Sequence, residues 1–140
     1  MDIRLVFIGT PFFAVPALEA LHENFKVAGV ITQPDRPAGR GRQLIPPAVK
    51  TTGLDVGLEI HQPQDINAAE SLDQIRSWKP DLICVVAFGQ ILSSELLSLP
   101  QQGCLNLHAS LLPRWRGASP INAAILAGDQ QTGVTIMKMA

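Results

Sequence analysis

The sequence predicts an α/β protein: a doubly wound, Rossmann-like, mostly parallel sheet with helices on both faces. Two features carry this reading. Ile3–Ile8, Val27–Thr32 and Asp81–Ala87 are nearly unbroken apolar runs of strand length, as expected for strands covered on both faces. Segments with helical spacing lie between them, and such alternation is the pattern of parallel strands joined by crossover helices. No internal repeat, low-complexity tract or interdomain linker interrupts it.

Taken in order, the first apolar run closes at Gly9. Thr10 and Pro11 then read as a helix start, a capping hydroxyl followed by a residue whose φ is preset, with the helix continuing to about His22. The strand Val27–Thr32 follows, and another is expected around Leu58–His61. Ala68–Trp78 has helical spacing, Asp81–Ala87 is a strand and Ile91–Leu97 reads as a short helix. Asn106–His108 would end a further strand, Ser119–Ala127 would be a helix and Gly133–Met139 a strand. Ligands in sheets of this kind bind beyond the carboxyl ends of the strands, where the strand order reverses. Gly9, Thr32, Phe88-Gly89 and Asn106–His108 all fall at such ends, so four loops are expected to converge on one crevice.

Composition narrows the classes. The chain has 140 residues, 46% hydrophobic and 16% charged, with a mean hydropathy of +0.19, which suits one compact domain or part of one. No apolar run approaches the roughly 20 residues of a membrane span, and the N-terminus lacks a signal-peptide pattern. The expectation is a cytoplasmic or organelle-matrix setting without membrane contact. Cys84 and Cys104 lie in apolar, strand-like segments without metal-ligand spacing and read as small buried hydrophobes, so no metal site is expected. His22 and His61 have no ligand-spaced partner and read as surface or packing residues. Net charge is −1, but residues 33–50 hold Arg36, Arg40, Arg42 and Lys50 against Asp35, a local +3 that leaves −4 elsewhere.

Three segments hold candidate chemistry. Gln33–Pro47 reads as a long structureless loop whose arginines suit either solvent or phosphate groups, because a guanidinium fork binds oxyanions bidentately. Phe88-Gly89-Gln90-Ile91-Leu92 follows a strand; its glycine would admit a ligand to the backbone and Phe88, Ile91 and Leu92 would flank a flat ring, although core packing explains the same residues. The first turn, Gly9-Thr10-Pro11-Phe12-Phe13-Ala14, has one glycine where dinucleotide binding wants three, which argues against an NAD or FAD site.

The third segment is the most informative. Asn106 and His108 stand two residues apart at a strand end, so their side chains share a face. A fixed amide can hold a developing oxyanion while an imidazole moves protons, which is the equipment of acyl transfer. A satisfied structural histidine is the competing reading. A catalytic histidine also wants an orienting group, and no carboxylate partner is evident before Ala140.

Together these pieces resemble the methionyl-tRNA formyltransferase family. The resemblance rests on Phe7–Pro11, Thr32–Arg42, Val85–Gly89, Asn106–Gly117 and Thr132–Met137. Asn106, His108 and the run Ser110, Leu111, Leu112, Pro113 are common to formyltransferases more widely, including glycinamide ribonucleotide and amino-sugar enzymes, whereas the arginine-rich loop is similar to the tRNA enzymes in particular. The resemblance implies formyl transfer from 10-formyltetrahydrofolate to the methionine of initiator methionyl-tRNA, with catalytic Asn106 and His108. It implies a folate site of Phe88, Gly89, Ile91 and Leu92, closed by Ser110, Leu111, Leu112 and Pro113. Arg36, Arg40 and Arg42 would meet the tRNA acceptor end. The family's aspartate, in a Leu-Asp-Thr-Gly type loop, and its C-terminal barrel domain would lie beyond Ala140. Residues 1–140 are therefore expected to form an incomplete N-terminal catalytic domain, inactive alone and prone to self-association through an exposed sheet edge, where the full-length family is expected to be monomeric. A formyltransferase acting on an amino sugar or small nucleotide, and a non-catalytic folate- or RNA-binding module, are the alternatives.

Overall fold

The computed structural model describes residues 2–108 and 135–140. The expected helix Ser119–Ala127 and the run Ser110, Leu111, Leu112, Pro113 lie outside the described residues.

A six-stranded sheet organises the chain. Its strands are β1 (Arg4–Gly9), β2 (Lys26–Ile31), β5 (Ile60–His61), β6 (Leu82–Val86), β7 (Cys104–His108) and β8 (Thr135–Met139), in the spatial order β5-β2-β1-β6-β7-β8. Among the described residues, the pairings within this sheet are parallel except β7 with β8. The chain builds outward from β1 to β5, then returns across β1 to start β6. The strand order thus reverses between β1 and β6, the position at which ligands enter such sheets.

The apolar runs become strands because both faces are covered. Val6, Ile8, Ile31, Ile83, Val85 and Cys104 pack with Ile66, Leu72, Ile75, Trp78, Phe88, Leu92 and Leu96 on one side. Phe7, Val27, Val30 and Val86 pack with Ala14, Val15, Leu18 and Val49 on the other. The first layer includes α3 (Ala69–Trp78) and α4 (Ser94–Leu97); the second is α1 (Val15–Asn24) and α2 (Ala48–Asp55). Helix α3 ends at Lys79, which takes the left-handed conformation (φ 52°) before Pro80 cuts off further helix. Trp78 turns back under the sheet, donating its indole N–H to Glu59 Oε2 at 3.0 Å.

Four local expectations are corrected. Residues 33–47 are not structureless: Arg36–Ala38 (β3) and Gln43–Ile45 (β4) pair antiparallel as a separate hairpin. Gly39 and Gly41, at φ 71° and 84°, supply the turn conformations that side chains resist. Helix α2 had no counterpart in the sequence reading. Thr10 caps no helix, since a 3₁₀ turn at Phe12–Ala14 precedes α1 and the Thr10 hydroxyl points across to another loop. The helix expected over Ile91–Leu97 shortens to Ser94–Leu97, because Asn67 holds the chain ahead of it. Asn67 Nδ2 donates to the Ile91 carbonyl and Asn67 Oδ1 accepts from the Ser93 N–H, both at 2.8 Å. The Ser93 hydroxyl then caps α4 by accepting from the Leu96 N–H at 3.2 Å.

Candidate active site

Three of the four expected loops meet at the carboxyl ends of the strands. The Thr10 hydroxyl, just past β1, donates to the Phe88 carbonyl at 3.1 Å, and the Gln33 side-chain amide, just past β2, donates to the same carbonyl at 3.2 Å. Gln90 donates to Gln33 Oε1 at 2.9 Å and accepts from the Ile66 N–H at 2.9 Å. The backbone after β6 is bent sharply to allow this, with Ala87 at φ 53° and Gly89 at φ 101°. A Cβ on Gly89 would sit 3.0 Å from Gln33 Nε2, so glycine there serves both the left-handed backbone and the close approach of the glutamine. A non-glycine residue held at positive φ costs about 1–3 kcal/mol, and such strain persists only where the surroundings enforce it.

The fourth loop is reached through β7. Asn106 pairs with Val85 of β6 on one side and Met137 of β8 on the other, while His108, the last residue of β7, pairs with Thr135. Cys104 belongs to the core layer that holds Val85 and Phe88; strand alternation therefore turns Asn106 and His108 toward that same side. Both are partly buried. The amide and imidazole thus leave the sheet side by side, next to the strand that feeds the Phe88 loop.

Within that loop the candidates separate. Phe88 and Leu92 are 4% and 8% exposed and belong to the core, while Ile91 is 89% exposed. Gly89 is exposed as well. Phe88 and Leu92 therefore pack into the core, and Gly89 and Ile91 are the exposed members of the segment 88–92. Arg36, Arg40 and Arg42 all stand exposed on the β3–β4 hairpin, away from the core.

The sequence reading missed what anchors the hairpin. Asp35, at its base, accepts from Lys50 Nζ at 3.0 and 3.1 Å and from Gln62 Nε2 at 2.7 Å. Gln62 also donates to the Gln33 carbonyl at 3.1 Å. The Gln62 and Lys50 hydrogen bonds hold the Asp35 carboxyl below its ordinary pKa, against the opposing effect of desolvation. Scattered glutamines leave no local signature; only the positive charge of Lys50 near Asp35 was visible.

Elsewhere, burial lowers the His61 pKa, partly countered by Glu70, and His61 faces the Ser71 hydroxyl at 3.5 Å, in keeping with a packing role. Burial pushes the Cys84 and Cys104 thiols up to about 11, so neither is a ready nucleophile at neutral pH. Among the described residues no group of three or more His, Cys, Asp or Glu side chains is placed to hold a metal ion, and no helix is long and apolar enough to cross a membrane.

An amide and an imidazole thus stand at a strand end, beside the switch-point crevice of a doubly wound sheet. The model of the formyl transferase family matches residues 3–140, and the chain belongs to that family. It is 58% identical over 139 residues to the methionyl-tRNA formyltransferase of Moorella thermoacetica and 59% identical over 140 residues to that of Halorhodospira halophila. Each match covers 99% of this chain and 45% of the relative, so the chain spans a little under half the length of these curated relatives. Among solved structures, phosphoribosylglycinamide formyltransferase from Streptococcus pneumoniae superposes with a TM-score of 0.74 at 22% identity, covering all of this chain and 74% of that one. A formyltetrahydrofolate deformylase from Pseudomonas syringae gives a TM-score of 0.72 at 18% identity, over 100% of this chain and 47% of that one. At such identities these structures bear on the fold alone.

Proposed function

We propose that a polypeptide carrying this chain at the length of its curated relatives transfers the formyl group of 10-formyltetrahydrofolate to the α-amino group of methionine on initiator tRNA, in the cytoplasm and as a monomer, and that residues 1–140 alone are inactive. The observation that carries this reading is the 58% and 59% identity, over 99% of the chain, to two bacterial methionyl-tRNA formyltransferases. An exposed hairpin with three arginines supports a polyanionic acceptor, since it presents charge and guanidinium forks away from the core.

The chemistry follows from the residue types. The neutral amine attacks the formyl carbon, forming a C–N bond while the carbonyl π pair moves onto oxygen. Asn106 and His108 hold that oxyanion as it develops, when the hydrogen bonds do the most to lower the barrier. Collapse breaks the bond between the formyl carbon and N10 of the folate. His108 assists the proton balance, one proton leaving the attacking nitrogen and one arriving on the departing N10. Gly89 and Ile91 offer the folate ring a surface beside the core residues Phe88 and Leu92, and by family resemblance Ser110, Leu111, Leu112 and Pro113 belong to the same folate site. Arg36, Arg40 and Arg42 contact phosphates of the tRNA acceptor end.

The transfer rate of an Asn106→Ala variant tests the assignment. Loss of one oxyanion donor lowers kcat by about 100- to 1,000-fold in acyl-transfer enzymes, and the same fall is expected here with the KM for folate little changed. Wild-type turnover in the variant would remove Asn106 from the mechanism. A small-nucleotide or amino-sugar acceptor, the competing reading within the family, leaves the arginine hairpin without a use.

A further inference from the structure

A continuous hydrogen-bonded path joins the arginine hairpin to the loop after β6. It starts at the Lys50–Asp35 ion pair under the hairpin, with Nζ–O distances of 3.0 and 3.1 Å, and passes to Gln62, which bridges Asp35 Oδ1 (2.7 Å) and the Gln33 carbonyl (3.1 Å). Gln33 continues it through its side chain, donating to the Phe88 carbonyl at 3.2 Å and accepting from Gln90 at 2.9 Å. Gln90 ends the path on the Ile66 N–H. Gln33 is 8% exposed and Ile66 fully buried, so the inner half of the path is shielded from competing water. None of these glutamines is needed for the chemistry at Asn106 and His108, which leaves their convergence unexplained by catalysis.

We propose that Gln33 and Gln62 are positioning residues that couple the two substrate sites, so that ordering the hairpin around an RNA also orders the Phe88–Gln90 loop for the folate. The inference rests on the reading given under Proposed function. The physical basis is shared ordering: a ligand that fixes either end of the path immobilises Gln33, and the second ligand then meets a site whose ordering cost is already met. Such coupling is reciprocal, because the two affinities change by one and the same factor. Gln62 sits midway and touches neither proposed ligand site, so its removal leaves only the Gln33-Pro34-Asp35 backbone to link the two ends and alters neither surface.

The test is the affinity of the full-length protein for 5-formyltetrahydrofolate, which cannot serve as donor from N10, measured with and without saturating uncharged initiator tRNA. In the wild-type protein the tRNA is expected to tighten folate binding at least threefold. In Gln62→Leu the folate affinity without tRNA stays within twofold of wild type, and the tightening by tRNA disappears. Lys50→Met, which removes the ion pair that steadies Asp35 at the base of the hairpin, makes the same test should Gln62→Leu fail to fold. Equal tightening in wild type and variant, or none in the wild type, overturns the coupling. A wild-type protein that binds neither ligand overturns the functional reading itself, and the coupling with it.

Discussion

At Gly29, in the middle of β2, there is room for a hydrogen atom and nothing larger. A Cβ at this position would meet three ring atoms of Trp78 at 2.2–2.4 Å, far inside contact distance. The indole cannot simply retreat, being 5% exposed in the core and tied to Glu59 through its N–H. Two effects compete in Gly29→Ala. Lower backbone entropy in the unfolded chain and better strand preference favour alanine by about 0.5–1 kcal/mol, while overpacking costs about 1–3 kcal/mol. The clash is severe enough to win, so Gly29→Ala is expected to lower the denaturation midpoint by an amount equivalent to about 1–2 kcal/mol. An unchanged midpoint would mean that Trp78 repacks freely. Gly29 was invisible in the sequence as a special position because its partner lies 49 residues further along the chain. Asn106 and His108, by contrast, were legible because their relation is local, two residues on one strand.

Among the elements, legibility followed burial. Strands β1, β2 and β6 are covered on both faces and wrote that fact into unbroken apolar runs. Helix α2 did not announce itself: Pro46 and Pro47 precede it, and Thr51, Thr52 and Gly53 are poor helix formers. Tertiary contacts override that weak propensity, since Val49 is fully buried and its N–H donates to the Thr10 carbonyl at 3.3 Å. The β3–β4 hairpin was hidden for a different reason. Both strands are exposed throughout, and a strand that buries neither face shows no alternation to read. Its charge, however, predicts behaviour. Replacing Arg36, Arg40 and Arg42 together by Gln should flatten the dependence of log tRNA affinity on log salt by about 2–3 units, near 0.7–0.9 for each phosphate that is no longer neutralised. An unaltered slope in a salt titration would show that the hairpin does not touch phosphates.

For the molecule as a whole, the sheet order explains why one crevice gathers residues from distant parts of the chain. Reversal between β1 and β6 sends the loops after β1, β2 and β6 to a common end, where Thr10, Gln33 and Phe88 meet through hydrogen bonds, and β7 brings Asn106 and His108 alongside. The sequence predicted that convergence from strand ends alone, while the glutamine path that ties the crevice to the hairpin became visible only once the chain was folded. Membership of the formyl transferase family fits this frame, and the acceptor is the point on which the functional account turns. The decisive measurement supplies 10-formyltetrahydrofolate, labelled in the formyl carbon, to a polypeptide carrying this chain at the length of its curated relatives. Methionyl initiator tRNA, glycinamide ribonucleotide and a sugar-nucleotide amine are offered as acceptors. The account predicts label on the tRNA-borne methionine and none on the two small amines. Label on either small amine, with the tRNA unformylated, would contradict it.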